Sequence, residues 1–111
     1  MVQSPATVDA ALIQEIVHRI LTVTKPDRII LFGSAATGNM NRDSDIDLLV
    51  VEPAPSKSID YWVQIRRSLK GLGYPFDLFL IDTSSFEASK GIFGGLAYPA
   101  HKYGRTIYEA A

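Results

Sequence analysis

The chain opens with a stretch in which apolar residues recur at helical spacing, and this pattern predicts an amphipathic helix over residues 8–23. Ser4 or Thr7 is the candidate N-cap, because either hydroxyl can accept a hydrogen bond from a free N–H of the first turn. Pro26 marks the point beyond which the helix cannot continue. The predicted inward stripe consists of Val8, Leu12, Ile13, Ile16, Val17, Ile20 and Leu21.

A second helix is predicted over residues 58–72, with Gly73 available as its C-cap. Its inward stripe consists of Ile59, Trp62, Ile65, Leu69 and Leu72. Three short runs have the apolar, β-branched and aromatic composition of strands. These predicted strands cover residues 28–32, 45–51 and 76–81.

The segments between and after these elements are less regular. Residues 33–44 are small and polar, which predicts a turn, a short helix and a loop. Glycines and a proline interrupt residues 83–111, where only residues 98–103 show a weak helical pattern. The alternation of helices and strands predicts an α/β or α+β fold, with a small sheet covered by helices. A length of 111 residues predicts one domain spanning residues 1–111.

Composition narrows the partners and the compartment. Apolar residues make up 47% and charged residues 21%, as in ordinary globular proteins. A net charge of −1 disfavours an extended nucleic-acid interface. The absence of cysteine excludes disulfides and thiolate zinc sites. Because neither a signal-peptide pattern nor a membrane-length apolar run is present, we expect a cytoplasmic protein without membrane association.

The second predicted strand begins with Asp45-Ile46-Asp47. Residues two apart on a strand face the same side, so Asp45 and Asp47 project together while Ile46 points into the opposite, packed face. Two such carboxylates repel each other unless a cation lies between them, and oxygen-only ligands favour Mg²⁺ or Mn²⁺. Asp77, on an otherwise apolar strand, is the candidate third ligand. Three convergent carboxylates can hold the two metal ions of a phosphoryl-type displacement.

Gly33 and Ser34 follow the first strand directly. A glycine at this point allows the backbone to approach a phosphate closely, and Ser34 adds a hydroxyl donor. If a helix begins here, its free N–H groups favour an anion. The metal ligands and this turn are therefore predicted to hold opposite ends of a nucleoside triphosphate.

The sequence Gly-Ser, followed after ten residues by Asp-x-Asp, resembles the signature of the DNA polymerase β nucleotidyltransferase superfamily. The short chain resembles the minimal prokaryotic branch, the MNT domains. The resemblance covers residues 28–81, and residues 103–109 also resemble the family's C-terminus. It implies a polymerase-β-like fold with a small mixed sheet flanked by helices. It also implies ATP-dependent nucleotidyl transfer with two magnesium ions.

The same resemblance implies a role for each site residue. Asp45 and Asp47 would bind both metal ions. Asp77 would bind one of them and help to deprotonate the acceptor hydroxyl. Gly33 and Ser34 would hold the triphosphate.

The stretch after Gly33-Ser34 departs from the family pattern. Many minimal members read Gly-Ser-Arg-x-Arg-Gly, whereas Ala35 and Thr37 stand at the two basic positions here. Phosphate binding would then depend on backbone, Ser34 and metal, with Arg42 as the candidate cationic side chain. The three carboxylates are intact, which argues against a fully decayed site.

Three functions remain open. The first is an antitoxin enzyme that transfers AMP from ATP to a tyrosine of a helical HEPN-type toxin, as the resemblance implies. The second is a binding antitoxin that neutralises its partner without turnover. The third is the catalytic subunit of a small-molecule nucleotidyltransferase of the aminoglycoside type, in which a separate chain would supply the acceptor site. A homo-oligomer and a hetero-oligomer are both open.

Overall fold

The structure is a computed structural model that describes residues 8–37 and 44–111. Within these ranges it contains five helices and four strands. In chain order they are α1 (Ala10–Leu21), β1 (Arg28–Phe32), α2 (Ser34–Thr37), β2 (Ile46–Glu52), α3 (Ile59–Ser68), β3 (Phe76–Asp82), α4 (Thr83–Ser89), α5 (Ala97–Tyr103) and β4 (Arg105–Glu109).

The strands form one mixed sheet in the order β3-β2-β1-β4. β1 pairs antiparallel with β2 and β4, whereas β2 and β3 are parallel. The parallel pair requires a crossover, and α3 provides it. The predicted fold class, a small mixed sheet flanked by helices, is confirmed.

Alternate residues of the central strands enter two hydrophobic cores on opposite faces of the sheet. On β2, Ile46, Leu48 and Val50 belong to the core that also contains residues of α1 and α3. Leu49 and Val51 belong to the core that contains residues of α4 and α5. Because both faces of β2 are covered, its sequence is almost continuously apolar.

The first predicted helix is present, and its N-cap is Asp9; the predicted caps Ser4 and Thr7 lie outside the described residues. α1 begins at Ala10, and the Asp9 carboxylate accepts a hydrogen bond from the Leu12 N–H at 2.8 Å. Aspartate is a favoured N-cap, and here it starts the helix two residues later than the apolar pattern predicted. Of the predicted stripe, Val8, Ile13, Ile16 and Ile20 are buried, whereas Leu21 is 38% exposed at the helix end.

The second helix is shorter than predicted, and Gly73 is not its C-cap. α3 ends at Ser68, where the Arg19 guanidinium donates to the carbonyl oxygens of Ser68 and Lys70 at 3.4 and 2.6 Å. Gly71, with φ of 89°, turns the chain into the left-handed region before Gly73 is reached. Ile65 and Leu69 are buried as predicted, but Ile59 is 70% exposed because it occupies the first position of the helix.

Two elements of the tail were not predicted. α4 begins after Asp82, whose carboxylate accepts from the Ser85 N–H at 2.9 Å. β4 pairs with β1 across a register shift between Ile29 and Ile30. The expected helical segment at residues 98–103 is present as α5. None of the helices in the described ranges is long and apolar enough to span a membrane.

Glu52 ends β2 as a buried carboxylate, only 5% exposed. The hydroxyls of Tyr61 and Thr24 both donate to its Oε1 atom, Thr24 at 2.9 Å, which ties α3 and the α1–β1 linker to the sheet. Burial, followed by the bond to Glu52, raises the pKa of the Tyr61 phenol. Within the described residues, Glu52 Oε2 has no hydrogen-bond partner, so the carboxylate depends on these two donors.

We therefore expect Tyr61→Phe to lower the free energy of unfolding by about 1–3 kcal/mol, because it removes a donor from a buried carboxylate. Tyr103→Phe is the matched control, since that tyrosine is 59% exposed. Chemical denaturation of both variants measures the difference. Equal stability of the two variants would show that the Tyr61–Glu52 bond contributes nothing net.

Candidate functional site

The strand pairing places Phe32, Asp47 and Asp77 side by side across the sheet. Phe32 on β1 lies opposite Asp47 on β2, and Asp47 is in register with Asp77 on β3. Directly paired residues share a face of the sheet. We call this end of the sheet, where β1 ends and β2 and β3 begin, the site end.

The burial of Ile46 fixes which face the carboxylates occupy. Ile46 is fully buried in the core beneath α1 and α3, so Asp47 projects from the opposite face, as the alternation predicted. Asp77 projects from that same face and is exposed. Asp45 lies one residue before β2 and is also exposed.

The charges at the site end act on Asp47. Burial, followed by the negative charges of Asp77 and Asp45, raises the pKa of the Asp47 carboxyl above its ordinary value. The Asp77 side chain also lies close enough to Asp47 to raise this pKa further. A shared proton is the usual solution when two carboxylates meet, and a divalent cation can replace it.

The donor set is chemically suited to a hard divalent cation, because it offers carboxylate oxygens and no sulfur or imidazole. The contact between Asp47 and Asp77 brings two such donors together. Across residues 8–37 and 44–111, however, no group of three or more histidine, cysteine, aspartate or glutamate side chains is arranged to hold a metal ion. Asp45 influences Asp47 through charge, so its carboxylate would have to turn toward the pair to become a third ligand.

The Asp47 carboxylate lies close to the backbone of Gly33. Its φ of 68° lies in the left-handed region, and a Cβ atom there would lie 2.2 Å from Asp47 Oδ2. Glycine is thus required twice, by the backbone conformation and by the close approach of the carboxylate. In the structure this glycine makes room for Asp47, and its predicted role toward phosphate stays a prediction.

Of the remaining predicted residues, Ser34 lies within the described part of the chain. Ser34 is the first residue of α2 and is partly buried, and the Ala36 N–H donates to the Gly33 carbonyl at 3.1 Å. Arg42 lies outside the described residues. Ala35 is only 3% exposed and packs in the core beneath α1 and α3, so this position contributes to packing.

Two aromatic rings adjoin the carboxylates and were not anticipated from the sequence. Phe32, opposite Asp47, and Phe79, two residues beyond Asp77, have ring centroids 5.8 Å apart. Phe79 is 36% exposed although it lies in the middle of a strand. The spacing Asp77-x-Phe79 was the available signal, since residues two apart share a face.

Substitution of Gly33, compared with substitution of Gly71, distinguishes the cost of the left-handed backbone from the cost of displacing Asp47. Gly71 also has positive φ, but a Cβ there would meet nothing within 4 Å. We expect Gly71→Ala to cost about 1–2 kcal/mol from backbone strain alone. Gly33→Ala should cost about 2–4 kcal/mol, because displacement of Asp47 is added. Denaturation curves measure both, and equal costs would mean that the Asp47 contact imposes no constraint.

The raised pKa of Asp47 predicts a pH-dependent effect of Asp47→Asn. A folded-state pKa above the unfolded value favours folding at low pH, and that contribution is lost as pH rises through the folded-state pKa. At pH 7, Asp47→Asn should therefore raise the unfolding midpoint, and the gain should vanish as pH falls below the ordinary value of 3.8. Asp60→Asn, at an exposed site on α3, should give no such gain. A gain that is the same at pH 3 and pH 7 would contradict the electrostatic account.

Comparison with solved structures shows the same fold in several proteins. The chain aligns with a toxin–antitoxin structure containing AMP-PNP at 20% identity and a TM-score of 0.69, covering 88% of this chain and 73% of that chain. It aligns with a candidate nucleotidyltransferase from Sulfolobus solfataricus at 20% identity and a TM-score of 0.60, covering 89% and 78%. It also aligns, at 18% identity and a TM-score of 0.60, with the complex of a tri-AMPylated Shewanella oneidensis HEPN toxin and an MNT antitoxin, covering 90% and 71%.

Sequence comparison gives the family. No curated protein sequence matches the chain significantly. The family model described as "Nucleotidyltransferase domain" matches residues 12–98, a range that includes Gly33, Ser34 and all three aspartates of the site end. The match extends over most of the chain, and the mixed sheet is that of the structural relatives. The protein therefore belongs to the nucleotidyltransferase domain family.

Proposed function

We propose that this protein transfers AMP from ATP to a hydroxyl group of a partner protein, as the antitoxin of a HEPN/MNT-type toxin–antitoxin pair. The observation that supports the proposal most strongly is the contact between Asp47 and Asp77, which burial and neighbouring charge make unfavourable without a counter-ion. The two toxin–antitoxin relatives support the partner, because one contains a tri-AMPylated HEPN toxin and the other contains AMP-PNP.

Asp47 and Asp77 would hold the metal ions, and Asp45 would be the third ligand if its side chain turned toward them. Two divalent ions, Mg²⁺ or Mn²⁺, would supply positive charge to the α-phosphate and to the leaving group. The carboxylates of Asp47 and Asp77 would determine where these metal ions bind. Gly33 keeps Asp47 in place, because any larger residue would push its Oδ2 atom away.

The transfer step is an in-line displacement at the α-phosphorus of ATP. The acceptor oxygen forms a bond to the α-phosphorus, and the bond from that phosphorus to the α–β bridging oxygen breaks. Pyrophosphate leaves with the electron pair. The acceptor proton moves to the Asp77 carboxylate, which is exposed on the reacting face.

The triphosphate would lie against the turn formed by Gly33 and Ser34, with Arg42 as the candidate cationic side chain. Residue 35 is a buried alanine, so it offers no charged side chain to phosphate. Backbone N–H groups, the Ser34 hydroxyl and the metal ions would therefore carry most of the interaction with phosphate. Binding of ATP should accordingly depend strongly on the divalent ion.

A second candidate is a binding antitoxin without turnover. The specific observations in its favour are Ala35 and Thr37 at the family's basic positions and the absence, within the described residues, of three ligands already gathered around one point. The fold would serve a binder equally well. The two candidates differ in whether the carboxylates are needed for partner modification.

The test incubates the full chain with ATP, Mg²⁺ and the product of the neighbouring reading frame, and measures the partner's mass. Asp47→Asn should lower the rate of AMP addition about 1,000-fold or more, because loss of a metal ligand removes several kcal/mol of transition-state stabilisation. Asp60→Asn, the same change at an exposed position on α3, should leave the rate unchanged.

Equal modification by both variants would remove Asp47 from the catalytic site. If the wild type adds no AMP but binds and neutralises the partner, the binding antitoxin is the correct function.

A further inference from the structure

An apolar groove of about 950 Å³ follows the outer edge of β3. Residues of β3 form its floor, the loop after β2 and the start of α3 form one wall, and Ser85 of α4 with Leu96 lie on the other side. The groove spans Leu78 to Asp82, about 13 Å at the usual rise of a strand. Single apolar side chains scattered over a surface need no explanation, whereas a continuous apolar groove usually marks a binding surface.

The groove is continuous with the site end of the sheet. Phe79 lines the groove and lies two residues beyond Asp77 on the same face of β3. Its ring also contacts Phe32, which is paired with Asp47. The aromatic pair therefore joins the carboxylates to the groove, with about 6.6 Å between Asp77 and Phe79 along the strand.

The residues that line the groove carry no net charge. Its charged residues are Lys57 and Asp82, one of each sign. Hydrogen bonds from Ser85 lower the pKa of Asp82, and the charge of Lys57 lowers it a little further. A polycationic small molecule would require an excess of acidic groups here, and a nucleic acid an excess of basic groups. The chemistry that matches this lining is an apolar protein segment.

One feature determines how such a segment would bind. β3 is an edge strand, but the Trp62 indole N–H already donates to the Leu78 carbonyl at 2.9 Å. A partner strand cannot pair across that position without displacing the indole. Binding would therefore use side chains in the groove, including contact with Ile59, which is 70% exposed at the groove wall.

We propose that this groove holds an apolar segment of the protein that carries the acceptor hydroxyl, positioning that hydroxyl beside Asp77. This inference rests on the proposed function, since it assigns the docking surface of the same reaction. The partner's apolar side chains lie over Phe79 and Ile59. Its acceptor residue lies where β3 begins.

The test uses one substitution at two matched positions. Ile59→Glu places a charge in the groove, whereas Ile92→Glu places the same charge at an isoleucine that is 63% exposed and does not line the groove. Both positions are on the surface, so both variants should keep the wild-type unfolding midpoint. The partner is the product of the neighbouring reading frame, and its affinity for the full chain is measured by calorimetry without nucleotide.

We expect Ile59→Glu to weaken partner binding at least about tenfold and to raise the KM for the partner with kcat unchanged, while Ile92→Glu stays within about twofold of wild type. Magnesium-dependent ATP binding should be the same in all three proteins. Equal partner affinity of the two variants would overturn the groove assignment, as would a loss confined to Ile92→Glu.

Two further results separate this inference from the proposed function. Partner binding that Ile59→Glu weakens, without any AMP transfer by wild type, would support the groove and contradict the enzyme. Absence of partner binding by wild type would overturn both. Sedimentation of the chain alone should show a monomer, and a dimer dissociated by Ile59→Glu would assign the groove to a second copy and overturn the proposal.

Discussion

Two carboxyl groups, those of Asp47 and Asp77, meet on one face of two parallel strands, and this contact is unfavourable by itself. Burial and the neighbouring negative charges raise the pKa of Asp47, which means that the folded protein holds its charged form at a cost. The fold nevertheless enforces the contact. Strand register places the two residues level, and Gly33 leaves the space into which Asp47 Oδ2 fits. A site that concentrates negative charge in this way is suited to divalent cations.

The sequence was sufficient for β1, β2 and β3 and for the face on which Asp47 lies, because strand alternation is a local property. Ile46 between the two aspartates is fully buried, as the period of two requires. It was also sufficient to predict the family, since Gly33-Ser34 and Asp45-x-Asp47 together form a specific pattern. Asp77 is in register with Asp47, a fact that depends on strand pairing and could only be supposed beforehand.

What the sequence did not reveal depended on competition between local signals and distant contacts. Asp9 replaced the predicted caps because a carboxylate inside the apolar pattern starts the helix there. β4 was missed because its short run gains its hydrogen bonds only from β1, far away in the chain. The aromatic pair was missed for a similar reason, since Phe32 and Phe79 meet only when β1, β2 and β3 lie side by side.

The aromatic pair of Phe32 and Phe79 also affects which molecules the site end can bind. Carboxylates alone would make that face an ion site, whereas Phe79 joins them to a neutral, apolar groove. A metal-dependent transfer centre and a protein-docking surface would then share one strand, β3. In such an arrangement the affinity for the partner and the chemistry depend on different residues, which allows each to be altered separately.

The functional assignment requires Asp47 and Asp77 to hold a divalent metal ion at the site end of the sheet, on the face opposite Ile46. A crystal structure of the chain with Mn²⁺ and AMP-PNP, with anomalous scattering to locate manganese, tests it most directly. We expect at least one manganese ion bound by both carboxylates, with Asp45 turned toward it and the triphosphate extending toward Gly33. Manganese bound elsewhere, or by phosphate alone without either carboxylate, would contradict this assignment.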